Sequence, residues 1–575
     1  MSIWKRGTIL GALAILALSG TARAQDPKVQ IAWNRYYDYD ETTALLRRLV
    51  DAFPWFLSIE SIGKSHEGRD MWVVTINNPD TGPPENKAAM YIDANVHGNE
   101  IQGTETCLYT ISYLMENYER IAKVKRLVDE RVFYILPMVN PDGRDHWFDA
   151  ANTSSSSRSG KAPLDNDRDG ELDEDGPDDL DGDGHITQMR IKDPEGRYKR
   201  SPADPRLLIP VAEGEQGEYS LIGSEGIDND GDGRVNEDGP GGYDMNRNWP
   251  SGWQPNYVQG GAGPYPLCWP ETRSIAEFIL SKPNIAGVQS YHNSGGMILR
   301  GPGYESYGEY PRGDVAVYDE LGQTGEKMLP FYRYMIIWRD LYSVYGGFVN
   351  WTYEGLGIFS FTNELFSSDQ YDSGQEREEG QNRSEWRQQW DDLMESGNQY
   401  IDWHPYDHPV FGEIEIGGWK KTSSRVAPHF LIEEMLHRNT VFSLEHADQM
   451  PMPTMSEPAV ASIGQGAFTV TVTLDNERAI PTVSELAAQK RIGLPDFLEI
   501  TGEDVRVVAV ARRVDRFPEE YRRMDVDQPG RLSLERGVSK GSPQTYRFWV
   551  RGSGDATITL RSQKGGTRTK TLRIE

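Results

Sequence analysis

Between Ile59 and Tyr291 the chain alternates apolar, β-rich runs with stretches of helical periodicity, and that alternation restricts the fold to the α/β class. Met71–Ile76 (MWVVTI), Ala88–Val96 (AAMYIDANV) and Arg131–Val139 (RVFYILPMV) read as strands, with a helix over Glu100–Tyr118 between the last two. A further helix is predicted over Pro270–Leu280, with proline in its first turn, where no amide partner is lost. Ile285–Tyr291 and Gly357–Thr362 read as further buried strands. With 575 residues, 15 Trp and 28 Tyr, the chain can bury more than one core and does not read as disordered.

Two segments depart from this alternation. Residues 152–242 are rich in Asp, Gly and Ser and hold an internal repeat: DNDRDGELDEDGP (Asp165–Pro177) and DNDGDGRVNEDGP (Asp228–Pro240) agree at nine of thirteen positions. A third copy of the core pattern, Asp179-x-Asp181-x-Asp183-Gly184, lies between them. Beyond Met450, runs such as Ala467–Leu474 (AFTVTVTL), Val505–Arg512, Thr545–Val550 and Ala556–Leu560 predict a small β-sandwich, with MPMPT (Met450–Thr454) as linker. The expected organisation is a leader over 1–24, an α/β domain over 25–449 and a β-sandwich domain over 450–575.

Lys5 and Arg6, the apolar stretch Ile9–Leu18 and Ala22-Arg23-Ala24 form a secretory signal, which predicts a secreted or periplasmic protein. The apolar stretch is shorter than the roughly 20 residues a bilayer requires, so stable membrane insertion is not expected. Loss of Lys5, Arg6 and Arg23 with the leader takes the formal net charge from −28 to −31. So acidic a surface repels nucleic acid. Much of the excess lies between Asp165 and Asp238, which points to bound cations. Cys107 and Cys268 are the two cysteines, compatible with either a disulfide or free thiols.

His97-Gly98-Asn99-Glu100 follows one predicted strand and opens a helix, and His292 ends another (IAGVQSYH). Zinc takes N and O donors in a roughly tetrahedral shell, and strand carboxyl ends are where open α/β sheets place ligands. HGNE, then YDMNRNW (Tyr243–Trp249), then SYH, then YSVYGGFVNWTYEGLGIFSFTNEL (Tyr342–Leu365) resembles the zinc metallocarboxypeptidase (funnelin) family in order and spacing. SIGKSHEGRDMWVV (Ser61–Val74) and NPDG (Asn140–Gly143) are similar to two further landmarks of that family, and HGNE is closer to its regulatory branch than to its digestive branch. Only a few residues separate the signal from the first predicted element, so no large activation propeptide is expected there.

The resemblance implies a mixed eight-stranded-type sheet flanked by helices. It also implies zinc on His97, Glu100 and His292, and Glu364 as general base and acid. Zinc lowers the pKa of a water to roughly 7, and a neighbouring carboxylate carries its proton to the leaving amine. Asn246 and Arg247 match the pair that binds a substrate's terminal carboxylate, for which a planar guanidinium is suited. Tyr342 matches a tyrosine that closes over substrate, and Val349 falls where an aliphatic residue favours apolar or aromatic C-terminal residues. The family's carbonyl-polarising arginine has no clear position beside the acidic insertion. Arg190 is the first candidate, with Arg144 and Arg158 as alternatives.

The three acidic motifs alternate carboxylates around a glycine turn, as calcium loops do. Asp165, Asp167, Asp169, Asp179, Asp181, Asp183, Asp228, Asp230 and Asp232 are the candidate ligands; Gly176 and Gly239 stand where a bidentate Glu is usual, with Glu174, Asp175, Glu237 and Asp238 nearby. The predicted partners are peptide or protein C-termini. The competing functions are an N-acyl amino acid deacylase, a carboxypeptidase acting on cell-wall peptides, and a non-catalytic binding protein on the same fold.

Overall fold

Strands that are apolar along nearly their whole length have no face to offer water and must be covered on both sides. The computed structural model describes residues 26–166, 168–366, 383–516 and 519–575; the predicted leader and Asp167 lie outside them. Its central sheet has eight strands. Four come early: β1 (Leu57–Lys64), β2 (Asp70–Ile76), β3 (Ala88–Ala94) and β4 (Arg131–Leu136). The next four, β5 (Gln188–Lys192), β6 (Tyr198–Arg200), β7 (Leu208–Pro210) and β8 (Tyr219–Ser224), arise within the acidic segment and belong elsewhere. The central sheet resumes with β9 (Ile285–Asn293), β10 (Met297–Arg300), β11 (Arg333–Ile336) and β12 (Phe359–Leu365), in the order β1-β2-β4-β3-β9-β12-β10-β11. Strands β4, β3, β9 and β12 run parallel, and the flanking pairs β1/β2, β2/β4 and β12/β10 are antiparallel. This is the mixed eight-stranded architecture expected.

One face of the sheet is covered by α1 (Tyr39–Ala52), α2 (Gln102–Asn117), α3 (Ala122–Glu130) and the helix Ile432–Asp448, through Leu46, Leu108, Leu127 and Phe442. Helix α4 (Pro141–Asp149) starts at the NPDG motif, where the Asn140 side chain accepts from the Gly143 amide at 2.8 Å and Pro141 takes the first helical position. Helix α5 (Pro270–Ser281) covers the opposite face through Ile275 and Phe278; α6 (Arg312–Met328) joins the first face through Tyr318, and α7 (Phe348–Glu354) the second through Phe348 and Trp351.

The acidic segment is more regular than its composition suggests. Strands β13 (Tyr400–His408) and β14 (Gly412–Trp419) join β5–β8 in a second, antiparallel sheet of order β13-β14-β5-β8-β6-β7. Residues 453–575 form two antiparallel sheets closed over Val470, Leu498, Phe548, Ile558 and Leu560, as the alternating runs predict. No helix among the described residues is long and apolar enough to cross a membrane.

The stretch read as a linker is instead held down. Met450 is buried, the buried Arg131 guanidinium donates to the Met450 and Pro451 carbonyls at 2.9 and 3.1 Å, and Pro453–Met455 is already a strand. Opposite, Asp314 of α6 accepts from the Glu485 and Leu486 amides at the start of the short helix Glu485–Lys490, both at 2.9 Å, and from the Tyr353 hydroxyl at 2.7 Å. The half-buried Lys564 ammonium donates to the Leu356 and Gly357 carbonyls at 2.8 and 2.7 Å. Replacing one partner strands buried donors, at about 1–3 kcal/mol each. Asp314→Ala therefore lowers the thermal midpoint of the full chain and speeds proteolytic nicking near Met450–Thr454; an unaltered calorimetric scan and digest would show that this contact does not hold the two parts together.

Candidate metal centre

The site forms where parallel strands end. After β3 the backbone turns at Asn95, a non-glycine residue at φ +60°, whose side-chain amide donates to the His97 and Gly98 carbonyls at 2.8 and 3.2 Å. A Cβ on Gly98 would lie 2.2 Å from the Ser157 carbonyl oxygen and 2.5 Å from the Gly143 backbone, so the glycines of HGNE and NPDG pack back to back. The Gly98 amide also donates to the Arg158 carbonyl at 3.1 Å, which brings Arg158 to the site. Glu100 precedes α2 by two residues, whereas the sequence reading placed it in the first helical turn. His292 comes from β9, directly in register with Glu364 on the parallel β12, so the two side chains leave the sheet on the same face.

His97, Glu100 and His292 converge. Glu100 Oε1 lies 2.9 Å from His97 Nδ1 and Oε2 lies 3.0 Å from His292 Nδ1, and all three residues are buried. The three ligand atoms lie within 4.8 Å of one another. A tetrahedral shell with bonds of roughly 2.0–2.1 Å needs donor separations of about 3.3 Å. Two imidazoles and one carboxylate, at about that spacing and shut off from bulk solvent, fit zinc.

Asp244 supports this group and was not singled out in the sequence. Its Oδ1 lies 2.9 Å from His97 Nε2 and its Oδ2 accepts from Arg158 at 3.0 Å. Burial would raise its carboxyl, but His97, Arg247 and Arg158 outweigh that and hold it well below the usual carboxylate range. An ionised carboxylate on the outer nitrogen orients a ligand imidazole and raises its basicity.

A cavity of about 350 Å³ opens beside these donors. Asn246, Arg247, Tyr342, Val349 and Glu364 all line it, as do Arg158 and Arg425. The Asn246 side-chain oxygen accepts from the Phe348 amide at 2.9 Å, tying the Asp244–Arg247 turn to α7. Gly346 completes that tie: its φ is +65°, and a Cβ there would sit 2.3 Å from the Arg247 carbonyl oxygen. Arg247 is mostly buried, while Tyr342 stands exposed at the rim. Burial and then the nearby Glu100 push the Glu364 carboxyl up to about 7.

Arg190 is not in this cavity. It is sandwiched between the Tyr219 and Trp403 rings, 4.1 and 4.2 Å from their centroids, and pairs with Glu415 at 2.6 Å in the second sheet. Arg144 is consumed by Glu105 and the Tyr37 carbonyl. Of the three arginines considered, Arg158 reaches the site, donating to Glu100 at 3.1 Å. Arg425 was missed: it donates to Glu100 Oε1 at 3.1 Å and to the Asn293 carbonyl at 2.8 Å from an irregular stretch at φ +68°, where no periodicity marks it. Cys107 and Cys268 are free thiols.

A profile of the zinc carboxypeptidase family matches residues 42–392, and the chain belongs to that family. Residues 453–573 match a family described as a domain of unknown function. A zinc carboxypeptidase of Saccharothrix mutabilis subsp. capreolus is 35% identical over 112 residues, 19% of this chain and 25% of that protein. Carboxypeptidase D of Mus musculus is 36% identical over 116 residues, 20% of this chain and 8% of that protein. The matched stretch thus spans a quarter or less of either relative's length. Among solved structures, the carboxypeptidase A from Helicoverpa armigera aligns over 73% of this chain and 74% of its own, at 17% identity and a TM-score of 0.44. The cofactor is zinc, and His97, Glu100 and His292 are the group to hold it. Asp244→Ala is expected to weaken zinc affinity about 10–100-fold, and His292→Ala by more, in competition against a chromophoric chelator. Parental affinity in His292→Ala would remove it from the ligand set.

Proposed function

We propose that this chain is a secreted or periplasmic zinc carboxypeptidase that removes C-terminal residues from peptides. The observation that carries the reading is one cavity lined by a His-Glu-His donor set, the Glu364 carboxyl and a mostly buried arginine. When bound, zinc supplies Lewis-acid polarisation and acidifies water.

The chain's own residues supply the rest. Arg247, with Asn246 beside it, pairs with the substrate's terminal carboxylate through its planar fork and so selects free C-termini. Arg158 donates to the scissile carbonyl oxygen as negative charge develops there, the role first assigned to Arg190. Glu364 accepts the proton of the attacking water and returns it to the leaving amine, a duty that suits a carboxyl near neutrality. Tyr342, exposed at the rim, swings over the bound residue. Val349, with Met297, Leu299 and Ile337 also lining the cavity, favours an apolar or aromatic terminal side chain.

Three measurements test this. Glu364→Gln should keep zinc and fold while turnover falls about 100-fold or more; full turnover in that variant would refute the assigned chemistry. Arg247→Ala should raise KM for free C-termini and abolish discrimination against C-terminally amidated peptides. Blocked dipeptides run beside N-acyl amino acids separate this reading from a deacylase, since release from acyl amino acids alone favours the latter.

A further inference from the structure

The two long acidic repeats meet across a local two-fold arrangement. Asp175 and Asp238, equivalent positions in the two copies, form an antiparallel bridge, with the Asp238 amide donating to the Asp175 carbonyl at 3.1 Å. Gly176 packs against Gly239 and Pro240, and Gly239 against Pro177. Each aspartate then turns away from its own loop. Asp238 Oδ1 accepts from the Asn166 amide in the first loop at 3.2 Å. Asp175 accepts from the Asn229 side chain and the Asn236 amide in the second loop, both at 3.1 Å.

Carboxylates accumulate around this bridge. Asp169, Glu174 and Asp230 bring ligand atoms within 4.8 Å of one another, as do Asp175, Asp230 and Glu237, and Asp228, Asp230 and Asp232. Asp238 is 0% exposed, yet its Oδ2 has no hydrogen-bond partner. Both carboxylate oxygens of Glu174 and of Glu237 are likewise shut from solvent and unpartnered. Glu174 faces Asp238, and Glu237 faces Asp175. Buried carboxylates facing one another are costly unless a cation sits between them. An all-oxygen, carboxylate-rich donor set around glycine turns suits calcium rather than zinc or copper.

We propose that the two repeats form a reciprocal pair of calcium sites, in which Asp238 completes the loop of the first repeat, Asp175 completes the loop of the second, and Asp230 stands between them. The arrangement explains why Gly176 and Gly239 occupy the position where a calcium loop usually carries its bidentate glutamate: the closing carboxylate comes from the other repeat. It also ties the calcium sites to the metal centre through the chain. Six residues after Asp238 comes Asp244, which holds His97. Gly241 and Gly242 of the connecting stretch leave no room for a Cβ, against Ser159 and Asn166. Calcium thereby clamps the segments that deliver Arg158 and the Asp244–Arg247 turn.

The test uses the full-length chain with its zinc content verified and held constant. Calcium is stripped on a chelating resin and calcium chloride is titrated calorimetrically, with magnesium chloride in parallel. The expected result is saturable calcium uptake by at least two sites, a calcium-dependent rise in thermal midpoint and a weak magnesium response. Absence of saturable uptake at calcium well above the roughly 1 mM range of weak calcium modules overturns the proposal. Hydrogen exchange then tests the reciprocity. In the parent, calcium protects both loops. In Asp238→Asn, affinity should fall tenfold or more, a loss of the size seen on removing groups around a metal, and protection of the first loop, Asp165–Glu174, should be lost. Asp175→Asn should unprotect the second loop, Asp228–Glu237. Loss confined to each variant's own repeat would refute the exchange of ligands. Both readouts are independent of peptide hydrolysis, so they stand or fall apart from the proposed activity.

Discussion

The metal centre depends on one carboxylate wedged between two imidazoles that come from strands far apart in the chain. Glu100 faces His97 Nδ1 through one oxygen and His292 Nδ1 through the other, inside a buried pocket. Three polar groups brought so close gain nothing from water and must satisfy one another or a shared cation. Much of the surrounding structure serves that convergence: Asn95 fixes the loop after β3, Gly98 lets it pack against Gly143, and the β9/β12 register sets Glu364 beside His292.

Around this centre arginines gather although the molecule is acidic. The chain carries a formal net charge of −28, yet Arg158, Arg247 and Arg425 all line the cavity. Guanidinium groups gathered in a cleft offer hydrogen-bond donors to an anionic group. The cost of gathering the arginines is offset by Glu100 and Asp244, which accept from them directly.

The acidic segment is integral to the domain that holds the metal centre. Its strands β5–β8 join β13 and β14 from much later in the chain, and the end of its second repeat runs straight into the turn that carries Asp244 and Arg247. The C-terminal sandwich, likewise, is docked through polar contacts at Asp314, Arg131 and Lys564.

Strand identity and the sandwich were legible in the sequence because each rests on short-range information, and His97, Glu100 and His292 were legible through the resemblance of their motifs to a known family. Period-two alternation shows in AFTVTVTL, and buried parallel strands read as apolar runs. Arg190, Asp244 and Arg425 were not legible, because what a long polar side chain reaches is set by backbone folded from distant sequence. Arg190 follows a motif that suggested proximity to the site, yet its strand pairs with β14 and buries the guanidinium between two aromatic rings. Arg158 and Arg425 lie in segments without periodicity and are brought to Glu100 by the Gly98–Gly143 contact and by an irregular backbone. The sequence by itself determined which residues could bind a metal and which runs had to be buried. Only the tertiary structure decided which arginines face the cavity and which carboxylates face each other across the repeats, because those pairings depend on strand register and close backbone approach.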